Sequence, residues 1–418
     1  MSRPNSRTVP ASEEALRALY GADGSILLDF RVDILQDGIK SKEVSLAPGG
    51  TVSLSADADI KRTCALGLYE PVNLLTDEIR PVMLVRSASG TGISTGTIKS
   101  WAQFDALGMS WAELEDAGLI FDSGGAMALE IAHEDPQWAE YPLGIFIPTT
   151  QKKVMEGAGV TYQIEAYDRT VILMEDAIDE PLYFAGGTSY LSNIESVLVS
   201  AGAASVVVED EVQTILPASR EFDIGTTKMD IINELLAEIN FSPIFCDENG
   251  NFIIRKAETG TSGEVTHTYE ADELSVIKWD TELEDDLYSV PNVFIAVCAN
   301  PDMDTDLRSV YVNDDENSIF STVRRGRRIV GEIYQPEQIS SQSDLDAYVA
   351  RQAYLRTQEA SETITFITAL MPTHGLNDLV QIVHPTAVGL FRETEWEMEL
   401  SAEGSMTHMA KRAVGIYA

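Results

Sequence analysis

Cysteine is nearly absent from the chain: Cys64, Cys246 and Cys298 are the whole complement in 418 residues, odd in number and far apart. No CxxC pair or Cys/His cluster accompanies them, which excludes a disulfide scaffold and a zinc ribbon. Long apolar runs are lacking too, since none approaches the ~18 residues that a membrane-crossing helix needs. The start, MSRPNSRTVPASEEALRAL, lacks the apolar stretch of a signal peptide. These absences predict a chain made and folded in a cytosol, with no membrane-spanning segment. Basic residues are scarce: 29 Lys and Arg face 67 Asp and Glu, for a net charge of −38 and a pI near 4.3. That deficit excludes a protein built to wrap nucleic acid, which needs clustered cations to displace counterions. It equally excludes docking on an anionic membrane.

What is present is enough for a folded protein. Hydrophobic residues make up 44% of the chain, too many for a disordered acidic tail. At ~100–200 residues per domain, the length predicts about two to three domains. The acids are dispersed along the chain, the pattern of a solvated surface and not of a charged binding tail. Of the cations, 19 are Arg and 10 are Lys. Charge so far from zero strains the folded state by self-repulsion that salt screens. A halophilic or marine host is expected on that ground, with a melting midpoint that rises with salt.

Periodicity predicts short strands punctuated by a few helices. A short helix follows Ser12, with Leu16, Leu19 and Tyr20 on one side. Strands are expected at Leu27–Ile34, Thr51–Leu54, Lys61–Leu68 and Pro81–Arg86, before a Gly/Ser/Thr-rich loop over Ser87–Thr97. Ser110 and Glu113 form a capping box for a small helix stopped by Gly118. Strands resume at Ala126–Ile131, Tyr141–Ile147 and Val160–Tyr167. Helices are expected at Ser189–Ala201 and from Thr227 to Ile239, then a hairpin turned at Asn249-Gly250. The last third reads as strands at Asn292–Val297, Ser309–Val312 and Arg328–Ile333. A helix over Asp344–Arg356, capped by Ser343, precedes strands at Glu362–Thr368, Asp378–Val383, Thr394–Leu400 and Met406–Ile416. The fold class expected is β-dominated α+β: two antiparallel barrel-like or sandwich-like bodies with a small α/β body between.

No constellation points to catalysis, a cofactor or a resident metal. Gly92-Ile93-Ser94-Thr95-Gly96 matches a nucleophile elbow in letters only, because no strand ends at Ser94 and no helix follows it. Gly90-Thr91-Gly92 lacks both the spacing and the βαβ setting of a dinucleotide fingerprint. Asp302, Asp304 and Asp306 alternate like the start of a calcium loop, but Leu307 and Asn313 stand where such a loop needs Gly and Glu. A solvated acidic loop is the simpler reading there, with a bound cation the alternative. Glu134-Asp135 and Glu284-Asp285-Asp286 are sequence neighbours whose side chains diverge, unlike an acid/base pair. The five histidines (His133, His267, His374, His384 and His408) have no ligand spacing, and each reads as a structural polar residue. Arg324-Arg325-Gly326-Arg327-Arg328 is the one basic run. Pairing within the chain, contact with a neighbouring subunit and phosphate binding all remain open for it. Trp101, Trp111, Trp138, Trp279 and Trp396 are scattered and form no sugar-stacking row.

The order of segments carries more. KRTCALGL, IRPVMLV, YPLGIFIP, VTYQIEAYDRTVILMED and the helix TSYLSNIESVLVSAG come first. They continue into FDIGTTKMDIINELLAEINFSPIFCDENGNFIIR, SVPNVFIAV, STVRRGRRIV and PTHGLNDLVQIVHP. This order, over roughly residues 25 to 417, resembles the baseplate hub (tail-tip hub) proteins of tailed phages. The resemblance implies two related tail-tube-like domains, at 25–185 with an insertion near 87–140 and at 271–418 with the helix 344–356. A middle α/β domain at 186–270 and an N-terminal helical arm at 1–24 complete the division. It also implies a non-enzymatic homotrimer that closes the tail tube and adapts six-fold to three-fold symmetry. The partners it implies are distal tail ring or tail tube proteins, the tape measure protein and tip fibre or receptor-binding proteins, with DNA passing in transit. A distal tail ring or a glycan-binding module is the alternative role.

Overall fold

Alternating and β-branched stretches form strands over about half of the chain, because a pleated strand puts successive side chains on opposite faces. The computed structural model describes residues 26–87, 138–156, 159–203, 205–210, 213–258, 263–272, 276–284, 290–298, 307–316, 318, 320–336, 339, 341–359 and 362–412, with Leu19, 119–121 and 127–129. The expected first helix, the loop after Ser87 and the helix after Ser110 lie outside the described residues, apart from Leu19. Two compact units divide the chain: Met1–Asp29 with Leu84–Tyr141, and Phe30–Met83 with Pro142–Ala418. In the first, Leu119–Phe121 pairs antiparallel with Met127–Leu129.

A 14-stranded, largely antiparallel sheet dominates. Its path runs through Glu282–Glu284, Thr363–Thr368, Met406–Arg412, Ala387–Glu399, Leu46–Ser55, Arg62–Leu68, Gly159–Asp168, Phe146–Glu156, Glu78–Ser87, Ile26–Gln36 and Ile39–Val44. Strands from the beginning and the end of the chain meet where Trp396 stands opposite Leu54 and Met398 opposite Val52. Val265–Glu270 runs parallel to Leu379–His384 beside this path. The fold class is β-rich α+β, as expected from periodicity.

Two smaller bodies hang on the sheet within the second unit. In one, the helices Tyr190–Ser200 and Lys228–Glu238 bury Ile194, Val197, Leu198, Ile231, Ile232, Leu235 and Leu236 against the small sheet of Val206–Val208, Phe252–Ile254 and Phe245–Cys246. Thr227 caps the second helix by accepting from the Asp230 backbone N–H. The turn at Asn249-Gly250 forms as expected. Gly250 is left-handed at φ +75°, and a Cβ there would lie 2.9 Å from Ile145 Cβ, so only glycine fits. In the other body, Val293–Cys298 is central between antiparallel Leu307–Val312 and parallel Val330–Tyr334. The helix Gln342–Glu359 covers one face through Leu345, Val349 and Ala353, packed on Phe294, Ala296 and Cys298.

Two local expectations change. The strand expected at Tyr141–Ile147 is broken between Ala139–Pro142 and Phe146–Glu156, because Gly144 turns at φ +141° with the Phe146 ring filling the space of a Cβ. The last long helix is capped by Ser341, whose Oγ accepts from the Asp344 N–H, and not by Ser343. Two strands that periodicity did not mark, Ile39–Val44 and Val265–Glu270, are edge and flanking strands. Among the described residues no helix is long and apolar enough to cross a membrane.

Candidate functional site

The strand Ala387–Glu399 changes phase part-way. Phe391 and Glu393 point inward, then Trp396 and Met398 do, and the register against Met406–Arg412 slips between Glu393 and Glu395. A β-bulge is the cause: one extra residue re-aims the side chains on either side of it. Here the re-aimed group is a carboxyl with no solvent exposure.

Four elements converge on that carboxyl. Tyr269 and His267 come from Val265–Glu270, Thr368 ends Thr363–Thr368, and His408 comes from Met406–Arg412. His374 lies in the connection 371–378, whose backbone carbonyls accept from Arg255 at Leu376 (2.7 Å) and from Arg392 at Asn377 (2.5 Å). Glu393 Oε2 is 2.6 Å from His374 Nδ1, and Oε1 is 2.5 Å from His408 Nδ1. On the far side of each ring, His374 Nε2 meets Tyr269 Oη at 2.6 Å and His408 Nε2 meets Thr368 Oγ1 at 2.8 Å. The Thr368 hydroxyl also lies 2.7 Å from the Ala369 carbonyl, to which it donates.

The positions of the protons follow from the last of these contacts. A hydroxyl has one hydrogen, so Thr368 must accept from His408 Nε2–H. Burial holds the His408 ring neutral, lowering its pKa to about 4 against the pull of Glu393. A neutral ring protonated at Nε2 is an acceptor at Nδ1, so the proton in the 2.5 Å contact belongs to Glu393. Burial acts the same way on the carboxyl, raising its pKa and favouring the neutral acid. Glu393 Oε2 is then a carbonyl that accepts from His374 Nδ1–H. His374, held well below the usual histidine range by burial, accepts in turn from the Tyr269 hydroxyl. The result is one directional chain of hydrogen bonds: Tyr269, His374, Glu393, His408, Thr368, Ala369. Each member is satisfied and none is charged, which is the condition under which a buried polar network stabilises a core.

His267 stacks on His374 with ring centroids 3.8 Å apart, and its Nε2 is 3.4 Å from Asp378 Oδ2. Burial alone would raise the Asp378 pKa, but His267 and the Gly375 N–H hold it below the usual carboxylate range. Imidazole and carboxylate are also the donors of a transition-metal site, and His374, Glu393 and His408 bring their ligand atoms within 4.8 Å of one another. Within this trio the separations suit hydrogen bonding: 2.6 and 2.5 Å are hydrogen-bond lengths. Two ligands of one ion, each ~2.1 Å from it, stand about 3 Å apart. With His374, His408 and Glu393 fully buried, the network holds the fold and offers no surface for a substrate.

Residues singled out from the sequence fall elsewhere. Ser94, Gly90, His133, Glu134, Asp135, Asp285, Asp286, Asp302, Asp304 and Asp306 lie outside the described residues; Glu284 ends a short exposed strand. Trp396 is buried, Trp138 half-buried and Trp279 exposed, while Trp101 and Trp111 lie outside the described residues. In the basic run, Arg325 donates to the Val290 carbonyl at 3.2 Å and lies over the Phe320 ring. Arg324, Arg327 and Arg328 are exposed and form no ion pair among the described residues.

No protein-family model matches the sequence, and no curated protein does. Solved structures do. A tail protein from Neisseria meningitidis is 11% identical with a TM-score of 0.62, the match covering 92% of this chain and 96% of that one. The 43 kDa tail protein of prophage MuSo2 from Shewanella oneidensis is 11% identical at a TM-score of 0.58, over 92% and 98%. The chain shares the fold of these two tail proteins. A chain of the Francisella PdpA–VgrG complex is similar as well, at 8% identity and a TM-score of 0.52, over 97% of this chain and 62% of that chain. Within this tail-protein fold, the Glu393 network lies two residues from Glu395, where the strand Ala387–Glu399 begins its pairing with Leu46–Ser55.

Proposed function

We propose that the chain is the tail (baseplate) hub of a phage: a non-enzymatic virion protein, made in the host cytoplasm, that assembles as a homotrimer and closes the distal end of the tail tube. The observation that carries this reading is a fold shared with two tail proteins over nearly the whole of both chains. The order of sequence segments supports it independently. In this reading each subunit supplies two tube-like domains, 25–185 and 271–418, with 186–270 between them. Three subunits then present six similar surfaces to a six-fold ring, and ring closure pairs the sheet edges that a lone subunit leaves open. Distal tail ring or tail tube proteins, the tape measure protein and tip fibre or receptor-binding proteins are the neighbours, and the genome passes through the central channel.

The charge suits such a channel. A wall rich in carboxylates repels phosphate and releases the genome without retaining it. The deciding experiment is a native mass measurement in salt-matched buffer. Three copies are expected; six copies would move the chain to the distal ring, and a persistent monomer would remove the hub. A trimer whose bore is strongly positive would overturn the channel argument alone.

A further inference from the structure

Among the described residues, a helix covers one face of the small sheet built on Val293–Cys298, while side chains of both outer strands are exposed on the other. The helix Gln342–Glu359 takes the side of Phe294, Ala296 and Cys298. By strand alternation Ile295 and Val297 point the other way, as do Val310 and Val312. Cross-strand register sets Val310 opposite Ile295, and Ile295 opposite Ile333. A second row runs Val312, Val293, Val330, with Val293 at its centre buried and the two outer valines exposed. Four of these side chains are well exposed: Val310 at 42%, Val312 at 37%, Val330 at 54% and Ile333 at 55%. Arginines stand at both ends of the rows. Arg308 is paired opposite Val297 at one end. At the other, the turn carrying Arg324, Arg327 and Arg328 is held to Asn292, whose side chain bonds the Arg327 carbonyl at 2.9 Å and the Ile329 N–H at 2.7 Å. Among the described residues, none of these four guanidinium groups has an ion-pair partner.

An apolar centre with arginines at its rim is the composition of a protein interface. We propose that this face receives a second copy of this chain. The inference rests on the reading of the chain as a self-assembling hub, and charge selects the occupant. Two copies that each carry −38 repel over most of their surfaces, so contact is favoured where the local charge opposes the net charge. The Arg308 and Arg324–Arg328 rim is such a place, and an acidic copy supplies carboxylates for forks that have none of their own. The apolar rows would then exclude water around those contacts. Nucleic acid fits less well, because the rows are aliphatic and offer no ring for base stacking.

The test is self-association of the full chain, measured by native mass and sedimentation in salt-matched buffer. One variant joins Val310→Glu with Ile333→Glu in the apolar rows; the other joins Arg324→Glu, Arg327→Glu and Arg328→Glu at the rim. Both sets are exposed, so thermal melting of the dilute chain should be unchanged and loss of fold is checked directly. We expect the wild type to assemble and each variant to associate about tenfold or more weakly. A wild-type trimer with variants that still form trimers at full strength would sink this face while leaving the hub reading intact. A wild-type hexamer dissociated by the variants would keep the face and remove the hub. A wild-type monomer would overturn both.

Discussion

Two carboxyls in the large sheet, Asp33 and Glu393, are both fully buried at the side chain, yet they are kept in opposite charge states. Asp33 lies among cations: Arg31 Nε at 3.0 Å, Lys40 Nζ at 2.8 Å and Arg80 Nη2 at 2.7 Å. Burial alone would raise its pKa, but hydrogen bonds from Lys40 and Arg80 and the charge of Arg31 outweigh that and hold it below the usual range. Glu393 lies among neutral rings and hydroxyls, and there burial prevails, raising its pKa and favouring the protonated acid. Partner chemistry, not depth, decides whether a buried acid is an ion.

The largest effect should come from emptying the second site. Glu393→Ala leaves a cavity and strands the Nδ1 atoms of His374 and His408 in the core, which should cost about 3–5 kcal/mol in the urea midpoint. A loss under ~1 kcal/mol would mean that water or a shifted ring restores the contacts. Next comes Asp33→Asn, which keeps the shape and removes the charge that three cations share. Its amide N–H would face a cation, and the expected cost is about 2–3 kcal/mol, toward the low end for a buried pair because Lys40 and Arg80 are about a third exposed. The loss should shrink in molar salt as the three cations are screened from each other.

The response to pH should divide the two sites by sign. Asp33, with a lowered pKa, adds stability that is present above the ordinary carboxylate value of 3.8 and is lost as pH falls through its folded value. Glu393, raised, adds stability that is present below 4.5 and is lost as pH rises through its folded value. His408 counters on the acid side. With a folded pKa of about 4 against 6.5 unfolded, it adds stability above 6.5 that drains away as pH falls toward 4, roughly 3 kcal/mol over that span. Comparing wild type with His408→Gln over that range isolates the limb. Ring resonances of His408 that titrate near 6.5 in the folded protein would refute it.

The fold was more legible than this site. Alternation in RTCALGL and spacing in MDIINELLAEI mark their strand and helix because each element is buried on one face alone. Val265–Glu270 hid because it is polar at four of six positions and gains its place only by pairing with the remote Leu379–His384. The histidines, read singly, are structural polar groups, and that is what the buried network makes of His374 and His408. Glu393, which joins them, lies one residue before the strand expected at Thr394–Leu400. Its one local signal was the slip of phase between Phe391 and Trp396, the mark of a bulge. Tyr269 and Thr368 gave no local signal, since each is placed by sheet register with a remote strand, Tyr269 opposite Ile382 and Thr368 opposite Met406.

The smallest expected effect is the most discriminating. Glu393→Gln exchanges the acid for an amide of the same shape. If Glu393 carries the proton, glutamine repeats both contacts: its carbonyl accepts from His374 Nδ1–H and its amide donates to His408 Nδ1. The cost should then be about 1 kcal/mol, for the second amide hydrogen that the acid lacks. The alkaline loss of stability should vanish with it, because the amide has no proton to give up. If instead a carboxylate faced a charged His408, the same change would break a buried ion pair and cost about 3–5 kcal/mol, as large as Glu393→Ala. An isosteric amide tolerated at 393 and not at 33 would establish that one sheet holds one buried acid as an ion and the other as a proton donor.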